Sequence, residues 1–125
     1  MEPVEVLAVD DQSIFLGVAR DVVGATPGFH WVGEAGSGEE AIVAVAELHP
    51  DLVLLDVRMP GIGGIEAARR IAAAYPDVVV VLISVDDQAD VQVAAEESGA
   101  AALVGKQTFG PATLRALWAR HGAVA

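Results

Sequence analysis

Cysteine is absent, so disulfides, thiolate metal sites and cysteine nucleophiles are all excluded, and nothing demands an oxidising compartment. Lysine occurs once, at Lys106; the other basic residues are arginines, giving 7 Lys plus Arg against 18 Asp plus Glu and a formal net charge of −11. Such a domain repels phosphates instead of releasing counterions, which argues against nucleic-acid binding by the domain itself. No apolar run approaches the length of a membrane span, and Met1-Glu2-Pro3-Val4-Glu5 carries acids where a signal peptide would carry Lys or Arg. The expectation is a cytoplasmic protein with no membrane contact. Internal repeats, low-complexity tracts and linkers are also missing, and 125 residues fit a single domain, 1–125. Hydrophobic residues make up 54% of the chain, which excludes disorder and suffices for a core.

What the chain does contain is an alternation of short β-branched apolar runs with amphipathic, Ala-rich stretches. Strands are predicted at Val4–Val9, Trp31–Ala35, Asp51–Leu55, Val78–Ile83 and Ala100–Val104, and helices at Ser13–Ala25, Gly38–Leu48, Gly63–Ala74, Asp87–Ser98 and Ala112–Arg120. The run from Val78 to Ile83 has no polar alternation, as befits a strand covered on both faces. Ser37-Gly38-Glu39-Glu40 reads as a capping box, Gly99 as a left-handed helix terminator, and Pro111 as a first-turn residue. Leu114, Leu117, Trp118 and His121 share one helical face, which makes Trp118 a packing residue. His30, His49 and His121 are read as structural, and Trp31 as partly buried. Five βα units in a row imply a parallel sheet with helices on both faces. The expected fold is a doubly wound α/β sandwich in the flavodoxin-like order 2-1-3-4-5.

In such sheets the ligand crevice lies beyond the carboxyl ends of the strands. Asp10 and Asp11 follow the first predicted strand, Asp56 the third, Ser84 the fourth and Lys106 the fifth. Taken singly, Asp10 or Asp11 is a helix cap, Ser84 a turn residue and Lys106 a solvated charge. Together they form a site. Clustered Asp oxygens suit a hard divalent cation such as Mg²⁺. A carboxylate can also attack phosphorus to give an aspartyl phosphate, with a hydroxyl and an ammonium stabilising the phosphoryl oxygens. No histidine stands at a strand end, so imidazole base catalysis is not indicated.

Carried by Val9-Asp10-Asp11, by Asp51 through Gly61 with Gly64 following, by Ile83-Ser84 and by Gly99-Ala100 leading to Lys106, the chain resembles a receiver domain of two-component response regulators, the CheY-like family. The resemblance implies that Asp56 is the phosphoacceptor, taking its phosphoryl group from a sensor histidine kinase or phosphotransfer protein. It implies that Mg²⁺ is held by Asp11, Asp56 and the backbone carbonyl of Arg58, with Asp10 acting through water. Ser84 and Lys106 would bind the phosphoryl oxygens and report their presence. Trp31 to Ala35 and the Pro60-Gly61-Ile62-Gly63-Gly64 turn look most like the subfamily that often carries helix-turn-helix output domains.

Three positions depart from the family pattern. Leu103 stands where a Tyr or Phe rotamer switch is usual, and Leu cannot hydrogen-bond. Val85 follows Ser84 where a small residue is usual, a candidate restriction on access to Asp56; Gln107 follows the lysine in place of Pro. Coupling to the surface of helix four, strand five and helix five, the candidate homodimer face, is therefore expected to be weak or altered. Helix four offers Val91, Val93, Ala94 and Ala95 to that face. A receiver-like protein-binding module with little dependence on phosphorylation is the alternative, favoured by Leu103 and opposed by the complete acidic, hydroxyl and lysine set. A nucleotide-binding reading of Gly36-Ser37-Gly38-Glu39-Glu40-Ala41 is rejected, because two glutamates would face a pyrophosphate at the helix N-terminus. A haloacid-dehalogenase-type phosphatase would need a second Asp two residues after Asp56, where Arg58 stands.

Overall fold

Alternate residues of an extended chain face opposite ways, so a strand apolar at every position must be covered on both sides. The strands at the centre of this molecule obey that rule. A computed structural model describes residues 2–85 and 89–122. Its elements are β1 (Val4–Val9), α1 (Ser13–Gly24), β2 (Phe29–Ala35), α2 (Gly38–Leu48), β3 (Leu52–Asp56), α3 (Gly63–Ala74), β4 (Val79–Ser84), α4 (Ala89–Glu97), β5 (Ala102–Gly105) and α5 (Pro111–His121). The sheet is parallel in the order β2-β1-β3-β4-β5, as expected.

Two apolar layers sandwich the sheet. Leu7, Val9, Val53, Leu55, Val80 and Leu82 project to the side of α2, α3 and α4, meeting Val45, Ala67, Ile71 and Val91. Their alternates Val6, Ala8, Leu54, Val81 and Ile83 meet Phe15, Ala19, Val23, Leu114 and Leu117 of α1 and α5. Each fully buried Leu or Val contributes roughly 1.5–3 kcal/mol relative to exposure. Trp118 and His121 lie half-buried on α5, and Trp31 is half-buried on β2.

Several boundaries differ from the sequence reading. β2 starts at Phe29, because Phe29 and His30 pair with Val4 and Glu5; Val32 then falls out of register where Val6 pairs with Trp31 and Leu7 with Gly33. β3, β4 and β5 run past their expected ends, since the ladder continues through Asp56 with Ile83 and Ser84 with Gly105. Of the predicted fourth helix, the described part is Ala89–Glu97; residues 86–88 lie outside the described residues.

The local signals resolve into specific bonds. Ser37 Oγ accepts from the Glu40 amide at 3.1 Å, but the Glu40 carboxylate accepts from Gly36, one residue before the cap, at 3.2 Å. Gly99 has φ +91°, the left-handed conformation that favours glycine. His49 also adopts a left-handed conformation, ending α2, and Pro50 follows it. Pro111 opens α5.

Candidate functional site

Parallel register brings four distant segments to one edge of the sheet. Asp10 and Asp11 leave the end of β1, Asp56 is the last residue of β3, Ser84 the last of β4, and Lys106 follows β5. Asp10, Asp56 and Ser84 are buried, Asp11 is exposed, and Arg58 is exposed on the loop after β3. One carboxylate oxygen from each of Asp10, Asp11 and Asp56 lies within 4.8 Å of the others.

Lys106 ties the group together. Its Nζ donates to Asp10 Oδ2 at 2.6 Å and stands 3.2 Å from Asp56 Oδ1. The other Asp10 oxygen accepts from the Gln12 amide at 2.9 Å, so both oxygens of this carboxylate are engaged. Asp10 is therefore not a helix cap: Gln12 occupies that position of α1 and makes no side-chain cap bond. The ammonium also sits 4.8 Å from the centroid of the Phe15 ring, and Phe15 packs against Phe109 at 6.2 Å with a 52° tilt. Sequence reasoning missed both rings. Their only signal was an apolar position in the first predicted helix, four residues after Asp11, and an apolar loop position three residues after Lys106.

The backbone around Asp56 is equally constrained. The Val57 amide donates to Ile83 O at 3.0 Å and the Gly64 amide to Val57 O at 3.0 Å. A Cβ at Gly64 would collide with the Asp56 carbonyl oxygen, so the start of α3 lies directly on the chain that carries the acid.

Electrostatics separate the two central groups. Burial raises the pKa of Asp56 from 3.8 to about 6; the Asp10 charge, and less so Asp11, push the same way, while Lys106 opposes them. Burial works against the Lys106 ammonium, yet its bond to Asp10 and the charges of Asp56 and Asp10 outweigh this and raise its pKa above the usual lysine value.

Around this core lie the family departures. Leu103 is half-buried against the α4-side core and borders two grooves. One, of about 330 Å³, is lined by Gln92, Ala95, Glu96 and Ala100–Leu103. The other, of about 360 Å³, reaches Ser84, Val85 and Lys106. Val85 is 71% exposed. Gln107 lies in a short 3₁₀ turn, Lys106–Thr108, closed by a bond from the Phe109 amide to Lys106 O. On α4 the sequence reading needs correction: Val91 and Ala95 are buried in the core, leaving Val93 exposed and Ala94 half-buried. Residues four apart share one face of a helix, so Val91 and Ala95 lie together on the side that packs against the sheet.

Comparison with known proteins agrees with this fold. Residues 6–118 match the family described as response regulator receiver domain. The chain is 39% identical over 104 residues to the response regulator GacA of Pseudomonas viridiflava, covering 82% of this chain and 48% of GacA. It is 42% identical over 110 residues to the protein-glutamate methylesterase/protein-glutamine glutaminase 5 of Myxococcus xanthus, covering 86% of this chain and 31% of that protein. The chain thus spans half or less of these curated relatives. Among solved structures, a two-component response regulator of the LuxR family from Aurantimonas sp. SI85-9A1 superposes with a TM-score of 0.86 at 30% identity, over 98% of this chain and 90% of that one. With five parallel strands in the 2-1-3-4-5 order and a family match across almost its whole length, the chain belongs to the CheY-like receiver domains of two-component response regulators.

Proposed function

We propose that this domain accepts a phosphoryl group on Asp56 from the phosphohistidine of a sensor histidine kinase or phosphotransfer protein, in a Mg²⁺-dependent reaction. The observation that carries the reading is the Lys106 ammonium, 2.6 Å from Asp10 and 3.2 Å from Asp56, beside a third carboxylate at the strand ends. A half-buried lysine bridging two acids is suited to follow charge as it moves from carboxylate to phosphoryl group.

In the transfer an Asp56 oxygen attacks phosphorus, the phosphorus–nitrogen bond breaks and the imidazole leaves with the electron pair. Asp56 must be ionised to attack, and with its pKa near 6 it is mostly so at neutral pH. Ser84 donates to one phosphoryl oxygen and Lys106 neutralises another. Asp10 anchors Lys106 through one oxygen and the α1 entry loop through the other.

The donor set is all oxygen and carries three negative charges, which fits a hard divalent cation. Asp11, Asp56 and the Arg58 carbonyl would hold Mg²⁺, with Asp10 engaged through water. When bound, the cation neutralises the acids and the phosphoryl oxygens. The face of α4, β5 and α5 is the proposed surface for a homodimer or an output partner. At a net charge of −11 the domain is not proposed to bind nucleic acid itself. No described helix is long and apolar enough to cross a membrane.

The test is intact mass after incubation with acetyl phosphate and Mg²⁺. Wild type should gain one acid-labile phosphoryl group, and Asp56→Asn should gain none. No labelling by acetyl phosphate or by any kinase would replace this reading with the phosphorylation-independent binding module. If Val85 restricts entry, Val85→Ala labels faster to the same end point; equal rates remove steric gating.

A further inference from the structure

In the proposed reaction the charges around Lys106 change, and of the three contacts described for its ammonium two are to the groups that change. Asp56 is the proposed phosphoacceptor, and Asp10 belongs to the proposed metal-binding cluster. The third contact is the face of Phe15, 4.8 Å from the ammonium to the ring centroid and well inside the range of cation–π attraction. An aromatic quadrupole does not titrate, bind a metal or accept a phosphoryl group. The contact is also shielded, since the Lys106 side chain is 14% exposed and Phe15 is buried in the layer between α1 and the sheet. Shielding from water strengthens such a contact.

The ring is itself held in place. Phe109 packs on Phe15 at a 52° tilt, and the amide of the same Phe109 closes the turn that begins at Lys106. One residue therefore braces both the shelf and the backbone from which the lysine extends, in a turn where Gln107 supplies no proline rigidity.

We infer that Phe15 is a positioning residue for phosphoryl transfer: its ring face, braced by Phe109, holds the Lys106 ammonium at the phosphoryl site while Asp10 and Asp56 are taken up by metal and phosphoryl group. This rests on the reading of Lys106 as a phosphoryl-binding group. The alternative is that Phe15 serves only as core volume.

Ring fluorination separates the two, because it drains the quadrupole while largely preserving shape and apolar character. Monofluoro- and trifluorophenylalanine at position 15, with Phe15→Leu beside them, are compared with wild type in the rate of labelling by subsaturating acetyl phosphate and Mg²⁺. Labelling should slow stepwise with fluorination, reaching about three- to tenfold for the trifluoro protein and for Phe15→Leu. Melting temperatures of the fluorinated proteins should stay close to wild type. Lys106 is the chain's single lysine, so ¹³C-lysine labelling yields one side-chain resonance set. Its upfield ring-current shift should be present in wild type and lost in Phe15→Leu. Unchanged labelling across the fluorinated series, or a lysine resonance without a ring-current shift in wild type, overturns the inference alone. A wild type that takes no phosphoryl group overturns the reading beneath it as well.

Discussion

Asp56 is held at an electrostatic cost, and the cost has a testable sign. Its pKa rises from 3.8 in the open chain to about 6 in the fold, so between those values the native state binds more protons than the unfolded one. Metal-free stability contributed by this group therefore falls as pH climbs from about 4 to 6 and levels off above, a loss of at most about 3 kcal/mol. Asp56→Asn should abolish that fall and melt at or above the wild-type temperature in EDTA at pH 7. A clearly lower melting temperature would mean that the ionised Asp56 carries no net cost in burial and repulsion at this site. Lys106 has the opposite role. Replacing it by Met leaves the Asp10 carboxylate buried with only the Gln12 amide, and should destabilise the metal-free protein by about 3 kcal/mol. Melts of the three proteins across pH 4–8 in EDTA check both signs. Both signs were legible from the strand-end positions of Asp10, Asp11, Asp56 and Lys106; the direct Asp10–Lys106 bond, across 96 residues, was not, because it depends on side-chain geometry that strand-end position does not supply.

At the scale of elements, the start of α3 and the end of β3 act as one unit. Gly64 sits against the carbonyl of Asp56, so Gly64→Ala forces the helix or the acid to move. The expected loss is about 2 kcal/mol or more by denaturant titration, with labelling slowed even where the variant remains folded. Labelling at the wild-type rate would show that α3 does not position Asp56. On the opposite flank, Leu103 lies between α4 and the site, bordering one groove toward Ala95 and Glu96 and another that reaches Lys106. A branched aliphatic residue there offers no hydroxyl to follow Ser84. A beryllofluoride-type phosphoryl mimic should therefore drive at most weak self-association through α4, β5 and α5, read by sedimentation; a tight dimer through that face would refute the role given to Leu103. Five helices and five strands were legible because their apolar periods differ. The buried side of α4 was not, because Val91, Val93, Ala94 and Ala95 are all small and apolar and only packing distinguishes them.

For the whole molecule, the acidic edge links metal binding to folding. Three carboxylates and one ammonium leave a formal charge of −2 at the crevice when all are ionised, and a divalent cation bound only by the native state adds RT ln(1 + [L]/Kd) to stability. At ten times Kd this is about 1.4 kcal/mol, visible as an upward shift in melting temperature when millimolar Mg²⁺ replaces EDTA. Asp56→Asn should show a smaller shift, having lost a charge and a ligand oxygen; no shift in wild type would dissolve the shared metal site. The sequence by itself determined the alternation of strands and helices, the parallel sheet and the sheet edge at which Asp10, Asp11, Asp56, Ser84 and Lys106 collect. It could do so because apolar period and crossover handedness are local or nearly local rules. Only the tertiary structure decided that Asp10 braces Lys106 instead of capping α1, that Gly64 lies on the Asp56 backbone, and that Phe15 and Phe109 stand beneath the lysine. Those outcomes depend on which side chains meet once the layers close, and no spacing along the chain encodes that distance.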